Sequence, residues 1–460
     1  MTPKDKAETT SHLMETLSSY MAAASSRALP DEVLEKTKEH VLDTLAAMIS
    51  GSELPPGKAA LAFAKSYGGR EVSTVVASTL LSGPIEAALT NAMLAHSDET
   101  DDSHPGSQSH PGCAVVTAAL AVGEQIGING QQFLRAVALG YDVGTRFTMI
   151  AGEKYESESH RSTHSIAPMF GAAAAASCSA NLNAQQMKLV IGYAAQQCSG
   201  LTTWRRDSQH IQKAFAFGGM PARSGVTAAL LVHNGWTGVK DILSGTDNFF
   251  VAYEPAADQA GLVEKLGERY EIMRTNIKKW TVGSPIQAAL DGLQSMQAKN
   301  SFTTDQVKEI TVRLATDEAA IVNNREIPGI CLQHMMAAML LDKTITFRSA
   351  HDVARMRDPK VLEQRAKIHL VPDEELQKLM PLRVAVVELT LKDGKQFNQR
   401  VDNVRGTPEN PMTREEVVAK AQDLIAPVLG ANTAKKLHDS VMNLERAGNI
   451  RELRPLLQRT

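Results

Sequence analysis

The amino-acid sequence predicts a mainly α protein with a large all-helical domain and a smaller α+β domain. Apolar residues recur with the helical period through about the first 270 residues. The period changes to the two-residue alternation of strands near Glu309 and becomes helical again near Thr413. We therefore expect a helical domain over residues 1–270 and 406–460, interrupted by an α+β domain over residues 271–405.

The helical pattern is clear in residues 31–50, where Val41, Leu45 and Met48 fall on one face. Asp31 opens this segment, where the helix dipole favours a negative charge. Three later segments are apolar nearly all round, which is typical of helices at the centre of a bundle. They are residues 114–122, 170–176 and 226–232.

The later part of the chain carries strand patterns and a helical tail. Residues 310–314 alternate between apolar and polar side chains. A second alternating run ends at Asp393-Gly394, a strong hairpin turn. Thr413 and Glu416 then have the spacing of a capping box, which predicts the start of a helix.

The composition is that of an ordinary globular protein. Hydrophobic residues make up 43 %, charged residues 22 % and aromatic residues 5 %, and the net charge is -3. We expect no nucleic-acid partner, because neither a basic surface nor an aromatic stacking surface is indicated. The N-terminal residues lack a signal-peptide core, and the apolar stretches are too short to span a bilayer. Four scattered cysteines without a CxxC pair complete the expectation of a cytoplasmic protein without membrane contact.

The densest polar cluster is the loop over residues 96–112, between two strongly apolar helices. It contains three histidines and four carboxylates: His96, His104, His110, Asp98, Glu99, Asp101 and Asp102. Mixed imidazole and carboxylate groups can divide acid and base roles at neutral pH. A solvated loop with helix caps is the simpler interpretation. A divalent metal site is a third, but the spacing matches no ligand motif, so we expect none.

Three further polar segments are candidates for a binding site. Residues 160–165 precede an alanine-rich helix whose N-terminus suits an anion, although a capping histidine is commoner. Residues 204–213 end at Lys213. Lys278 and Lys279 lie at the junction of the two expected domains, where ligand clefts are common.

Six segments carry a resemblance to a known family. They are the run from His96 to Asp102, His-Pro-Gly at His110, FGAAAAA at Phe170, ARSG at Ala222, IKKW at Ile277 and GTPENPMT at Gly406. In order and spacing they resemble the 2-methylcitrate dehydratase (MmgE/PrpD) family over nearly the whole chain. That family includes 2-methylcitrate dehydratases, cis-aconitate decarboxylases and iminodisuccinate epimerases. The resemblance implies an all-helical domain with a smaller α+β lid, in a homodimer.

The resemblance also implies a role for each matching residue. The catalytic set is His110, His164, Asp101 and Asp102. The substrate-binding set is Glu99, Ser103, Lys213, Lys278 and His334. Glu99 stands where the family often has Asp, Ser103 replaces a threonine, and Asp98 is an additional carboxylate. His334 replaces a tyrosine of the cis-aconitate decarboxylases, which weakens the decarboxylase interpretation.

The expected function is a hydro-lyase without a cofactor, acting on a 2-methylcitrate-like tricarboxylate. His110 and Lys278 are expected to reach one cleft, His110 as an acid–base group and Lys278 as a cation for a carboxylate. An epimerase or a decarboxylase of a related polycarboxylate is the first alternative. An inactive family member that only binds a ligand is the second.

Overall fold

The structure, a computed structural model, describes residues 10–152 and 154–459. Contacts within the chain divide it into two units. The first takes the described residues up to Ser97, then Asp101–Thr275 and the described residues from Leu424. The second takes Asp98–Thr100 and Asn276–Asp423.

Helices make up most of the first unit. In chain order its elements begin with α1 (His12–Ala23), α2 (Asp31–Gly51), α3 (Pro55–Tyr67), β1 (Ser73–Thr74), β2 (Leu81–Ser82), α4 (Pro84–Ala95), α5 (Pro111–Ile126), α6 (Gly130–Met149), α7 (Tyr155–Ser159), α8 (Thr163–Ser179), α9 (Ala184–Gln196), α10 (Ile211–Ala214), α11 (Met220–His233) and α12 (Phe249–Tyr253). A π-helical turn over Phe215–Gly219 joins α10 to α11. Strands β1 and β2 form a small antiparallel ribbon.

Helix α8 lies at the centre of this unit and packs against α5, α6 and α11. Its alanines allow close helix approach, and the ring of Phe170 stacks on Phe147 of α6 at 3.7 Å between centroids. Every residue of α8 except His164 is buried. The three segments predicted to be central helices therefore lie in α5, α8 and α11, and the mainly α class is confirmed.

The second unit combines a four-stranded sheet with helices. Its elements are α13 (Gln287–Lys299), β3 (Val307–Ala315), α14 (Thr316–Val322), α15 (Leu332–Asp342), α16 (Phe347–His351), α17 (Pro359–Arg365), β4 (Ile368–Asp373), α18 (Glu374–Gln377), β5 (Ala385–Leu391) and β6 (Gln396–Val401). The strand order is β4-β3-β5-β6. β3 runs parallel to β4 and antiparallel to β5, and β6 is antiparallel to β5. Apolar residues of the sheet and of α13 and α15 form one buried core.

The C-terminal part is helical, as α19 (Arg414–Leu429), α20 (Ala431–Met442) and α21 (Arg454–Leu457). The predicted capping box precedes α19: the Thr413 N–H donates to the Glu416 carboxylate at 2.8 Å, and the Glu416 N–H donates to Thr413 Oγ1 at 3.3 Å. The predicted hairpin turn at Asp393-Gly394 joins β5 to β6. That residues 1–270 with 406–460 and residues 271–405 fold as separate domains stays a prediction.

One helical stretch among the described residues, Ile211–His233, is long and apolar enough to cross a membrane. Of its most apolar 18 residues, 67 % are buried within the protein. Because core helices of globular proteins meet the same criteria, this stretch is only weak evidence for a membrane span.

Candidate active site in the first unit

His96 and His110 are held at the two ends of the loop that joins α4 to α5. His96 caps the C-terminus of α4, and its N–H donates to the Ala92 carbonyl at 3.1 Å. His110 precedes Pro111, which opens α5 because its fixed φ suits the first helical position. The two helix ends bring the imidazoles together, with ring centroids 4.8 Å apart.

Asp101 lies between these two histidines. Its Oδ2 is 2.8 Å from His96 Nδ1, and its Oδ1 is 3.2 Å from His110 Nδ1. All three side chains are buried. Burial alone would raise the pKa of the Asp101 carboxyl, but the two imidazoles outweigh it and hold that pKa well below its usual range. This buried carboxylate is placed to orient both rings by accepting a hydrogen bond from either.

Phe217, in the π-helical turn, contacts imidazoles from two different elements. Its ring is 4.7 Å from the His96 ring and 4.2 Å from the His164 ring, nearly parallel to the latter at 6°. Gly218 permits this approach, since a Cβ there would lie 2.3 Å from the Ala92 carbonyl oxygen. π-Helical turns often occur at functional sites. This one fixes the packing of the imidazole cluster, which is the group of side chains around His96, His110, His164 and His210.

His164 connects the buried histidines to the partly exposed side of the cluster. It lies in the first turn of α8 and is the residue of that helix that solvent reaches. Its ring centroid is 5.4 Å from that of His110, and the Trp204 ring meets it edge-on at 5.3 Å. The Trp204 indole N–H donates to Ser162 Oγ at 3.2 Å, which orients the ring.

Lys213 and His210 complete the partly exposed side. The Lys213 ammonium is 5.1 Å from the Phe217 ring centroid and 5.5 Å from that of Trp204, a cation–π arrangement. His210 precedes α10 with a left-handed φ of 62°, and its ring lies 5.2 Å from His96. The cluster therefore runs from a buried anion, through four imidazoles, to a partly exposed ammonium.

Asp102 has a different environment from Asp101. Its Oδ1 accepts the Gly112 N–H at 3.1 Å, and its Oδ2 accepts the Tyr141 hydroxyl at 2.5 Å and lies 3.1 Å from His40 Nδ1. A Cβ on Gly112 would lie only 2.7 Å from Asp102 Oδ2. These contacts anchor the first turn of α5, so they give Asp102 a positioning role beside the catalytic role predicted for it.

His104, the third histidine of the loop, also serves the framework. Its Nδ1 accepts the Ser107 N–H at 3.0 Å, so its Nε2 carries the proton that faces Glu271 at 3.4 Å. Burial alone would raise the pKa of Glu271, but His104 and the nearby arginines lower it to about 2. This pair ties the loop to residues 269–274 and takes no part in the imidazole cluster.

One group of side chains in the cluster has the spacing of metal ligands. Donor atoms of His96, Asp101 and Cys113 lie within 4.8 Å of one another. Both Asp101 oxygens already face imidazole nitrogens, and the Cys113 thiol donates to the His110 carbonyl at 3.1 Å. Burial and nearby carboxylates raise the pKa of that thiol well above its usual range. We assign a hydrogen-bond network to these residues.

Comparison with known proteins places the chain in a family. A model of the MmgE/PrpD N-terminal domain matches residues 15–260, and a model of the MmgE/PrpD C-terminal domain matches residues 280–446. The chain belongs to the MmgE/PrpD family. The resemblance found in its sequence motifs is thereby confirmed.

Several curated MmgE/PrpD relatives are cis-aconitate decarboxylases. The protein of that name from Homo sapiens is 26 % identical over 455 residues, covering 94 % of this chain and 91 % of the relative. That from Aspergillus terreus is 23 % identical over 461 residues, covering 93 % and 92 %. That from Mus musculus is 24 % identical over 441 residues, covering 91 % and 87 %.

The structure distributes the predicted site residues of this MmgE/PrpD chain over both units. Asp101, His110, His164 and Lys213 belong to the imidazole cluster of the first unit, and half-buried Ser103 follows Asp102 in the same loop. Glu99, Lys278 and His334 belong to the second unit. There the Lys278 ammonium donates to the Glu99 carbonyl at 2.8 Å and lies 4.0 Å from the Glu99 carboxylate.

His334 is fully buried in α15. Neither ring nitrogen has a hydrogen-bond partner among the residues that the structure describes. Burial, together with the positive charges of Arg365 and Arg355, lowers its pKa to about 4. His334 is therefore a neutral imidazole at physiological pH.

The cluster also contains residues outside the predicted site. They are His96, Cys113, Trp204, His210 and Phe217. His96 shares the polar loop with Asp101, and His210 lies in the segment that leads to Lys213. The Gly-Gly pair after Phe217 indicates close backbone approach, and this was the signal available for that ring.

Proposed function

We propose that this chain is a lyase that acts on a small tricarboxylate by proton transfer from the imidazole cluster, without a cofactor. The observation that carries the proposal is the buried Asp101 carboxylate in contact with both His96 and His110. A carboxylate in that position orients an imidazole and stabilises its protonated form, as general acid–base catalysis requires. His110 and His164 are the acid–base groups in this proposal.

The first candidate reaction is decarboxylation of a cis-aconitate-like substrate. The names and nearly full-length coverage of the relatives support it. The bond to the departing carboxylate breaks, and its electron pair forms a new double bond. The electron pair of the old double bond takes a proton at its far carbon from an imidazolium, and CO₂ leaves. Lys213 offers a lasting positive charge to a remaining carboxylate.

The second candidate is dehydration of a 2-methylcitrate-like substrate. His334, in place of the tyrosine of cis-aconitate decarboxylases, favours this reaction over the first. A base removes the proton next to a carboxylate, and an imidazolium protonates the departing hydroxyl, so two acid–base groups are needed. The cluster contains enough imidazoles for both roles. The carboxylate-binding roles expected for Lys278 and His334, and the homodimer, stay predictions.

A nuclear magnetic resonance assay in heavy water tests the proposal. cis-Aconitate, 2-methylcitrate, citrate and iminodisuccinate are incubated separately with the protein. Loss of one carboxyl group with deuterium uptake from cis-aconitate supports decarboxylation, and an alkene formed from 2-methylcitrate supports dehydration. Inversion of iminodisuccinate alone would replace the lyase with an epimerase. Binding without turnover of any of the four would overturn the proposal in favour of a ligand-binding protein.

A further inference from the structure

We propose that Asp98, His351 and Lys420 are positioning residues that hold the segment Asp98–Thr100 in one backbone conformation, and thereby set the direction in which the chain enters Asp101, the next residue. The inference rests on the function proposed above. It concerns contacts within the second unit, to which these three residues and the segment belong. Peptide bonds join the segment directly to Ser97 and Asp101 of the first unit.

The segment is held at each of its three residues. His351 Nε2 lies 2.9 Å from Asp98 Oδ2, the Lys278 ammonium donates to the Glu99 carbonyl, and the Lys420 ammonium donates to the Thr100 carbonyl at 3.0 Å. The three holding groups come from α16, from the chain before α13 and from α19. Because the three contacts fall on three successive residues, they restrain the path of the main chain and not merely the position of one side chain.

Asp98 also closes the segment on itself. Its Oδ1 accepts the Thr100 N–H at 2.9 Å, and its Oδ2 accepts the Thr100 hydroxyl at 2.6 Å. Asp98 and Thr100 are both buried. The Asp98 carboxylate therefore contacts both Thr100 in its own turn and the His351 imidazole in α16. Loss of that carboxylate would remove both contacts.

The charges in this arrangement are matched. Burial alone would lower the pKa of His351 and raise that of Asp98, but their mutual contact outweighs it and moves each pKa in the opposite direction. Each shift favours the charged form of its group, so the contact between Asp98 and His351 favours opposite charges. Lys420 is buried, and its ammonium donates to the Thr100 main-chain carbonyl. A lysine that only adds charge to the surface would need neither its burial nor this contact.

The consequence for the active site follows from chain connectivity. Asp101 follows Thr100 directly, and its two oxygens lie 2.8 and 3.2 Å from imidazole nitrogens. A displacement of about 1 Å is enough to lose such contacts and to slow an oriented reaction by roughly 100-fold. Asp98 thus restrains the chain immediately before Asp101.

Turnover of the substrate identified in the heavy-water assay tests the proposal with four variants. Asp98→Asn, His351→Gln and Lys420→Met are each expected to lower kcat by roughly 10- to 100-fold, because misplacement by about 1 Å slows an oriented reaction by up to roughly 100-fold, with KM within about threefold. Lys420→Arg is expected to restore most of kcat, since it keeps a donor for the Thr100 carbonyl. Lys378→Met removes an exposed lysine of a surface pair and serves as the matched control.

The double variant Asp98→Asn/His351→Gln separates a shared role from two independent ones. If the residues act as a pair, it loses no more activity than either single variant. Single variants with wild-type kcat, or losses in kcat that multiply in the double variant, would overturn the proposal.

Amide hydrogen exchange of the peptide over residues 97–103 supplies a measurement that does not need turnover. The variants are expected to speed exchange there by roughly tenfold or more, while exchange elsewhere in the second unit stays as in the wild type. Unchanged exchange at 97–103 would overturn the proposal even if the lyase activity is found. If no substrate is turned over, faster exchange confined to this peptide still supports the positioning role, whereas exchange faster throughout the unit refutes it.

Discussion

Replacing Asp101 by asparagine tests the electrostatic basis of the imidazole cluster. The carboxylate faces two imidazole nitrogens, 2.8 Å from His96 and 3.2 Å from His110. Asparagine offers one oxygen and one amide NH₂, so it cannot accept from both rings. Each charge-assisted hydrogen bond contributes about 1.5–3 kcal/mol. Removing a buried charge offsets part of that loss, so we expect unfolding to become easier by about 1–3 kcal/mol.

The effect of Asp101→Asn on turnover is expected to be larger than its effect on stability. The carboxylate orients the imidazole and stabilises its protonated form, and loss of such a partner lowers kcat by roughly 10²- to 10⁴-fold. Steady-state kinetics and urea unfolding of the same preparations measure both effects. Asp439→Asn is the matched control, because it removes an exposed carboxylate 3.1 Å from His438. A folded Asp101→Asn variant with kcat within twofold of the wild type would refute the role of this carboxylate.

Three further predictions concern pH, packing and metal dependence. Because the pKa of Glu271 falls from 4.5 to about 2 on folding, its charge stabilises the protein by about 3 kcal/mol above pH 4.5, and this stabilisation is lost as pH falls towards 2. The free energies of unfolding of the wild type and of Glu271→Gln, measured in urea, should therefore converge as pH falls over that range. A difference that stays constant would contradict the assignment. Gly218→Ala should lower the free energy of unfolding by about 1–3 kcal/mol, because its Cβ would lie 2.3 Å from the Ala92 carbonyl oxygen. Gly238→Ala, whose Cβ would have its nearest neighbour at 3.8 Å, should leave the melting temperature nearly unchanged. Equal shifts in melting temperature for the two variants would contradict the packing argument. Activity should survive exhaustive chelation, and loss restored by one divalent ion would instead assign a metal.

The elements that the sequence predicted well are those with a strong local signal. The segments of α5, α8 and α11 are apolar on all sides, so their burial at the centre follows from composition alone. The turn before β6 and the cap of α19 follow from residue types that favour one backbone geometry.

The detailed roles within the polar loop could not be read from the sequence. Asp101 and Asp102 are adjacent, yet one faces two imidazoles and the other holds the N-terminus of α5. Which neighbour each carboxylate meets depends on Tyr141 and His40, which are distant in the chain and lie in helices with no functional motif. Phe217 was missed for a similar reason, since a π-helical turn has the same local pattern as the α-helix around it.

The central claim is that the imidazole cluster moves protons, and the turnover number of His110→Ala measures it most directly. The variant is compared with His438→Gln, which replaces a partly exposed histidine of a surface pair, after circular dichroism has shown that both are folded. We predict that His110→Ala lowers kcat by roughly 10²- to 10⁴-fold, as expected for loss of an acid–base group, while His438→Gln keeps the wild-type value. A folded His110→Ala variant with near-normal kcat would contradict the assignment of acid–base chemistry to this cluster.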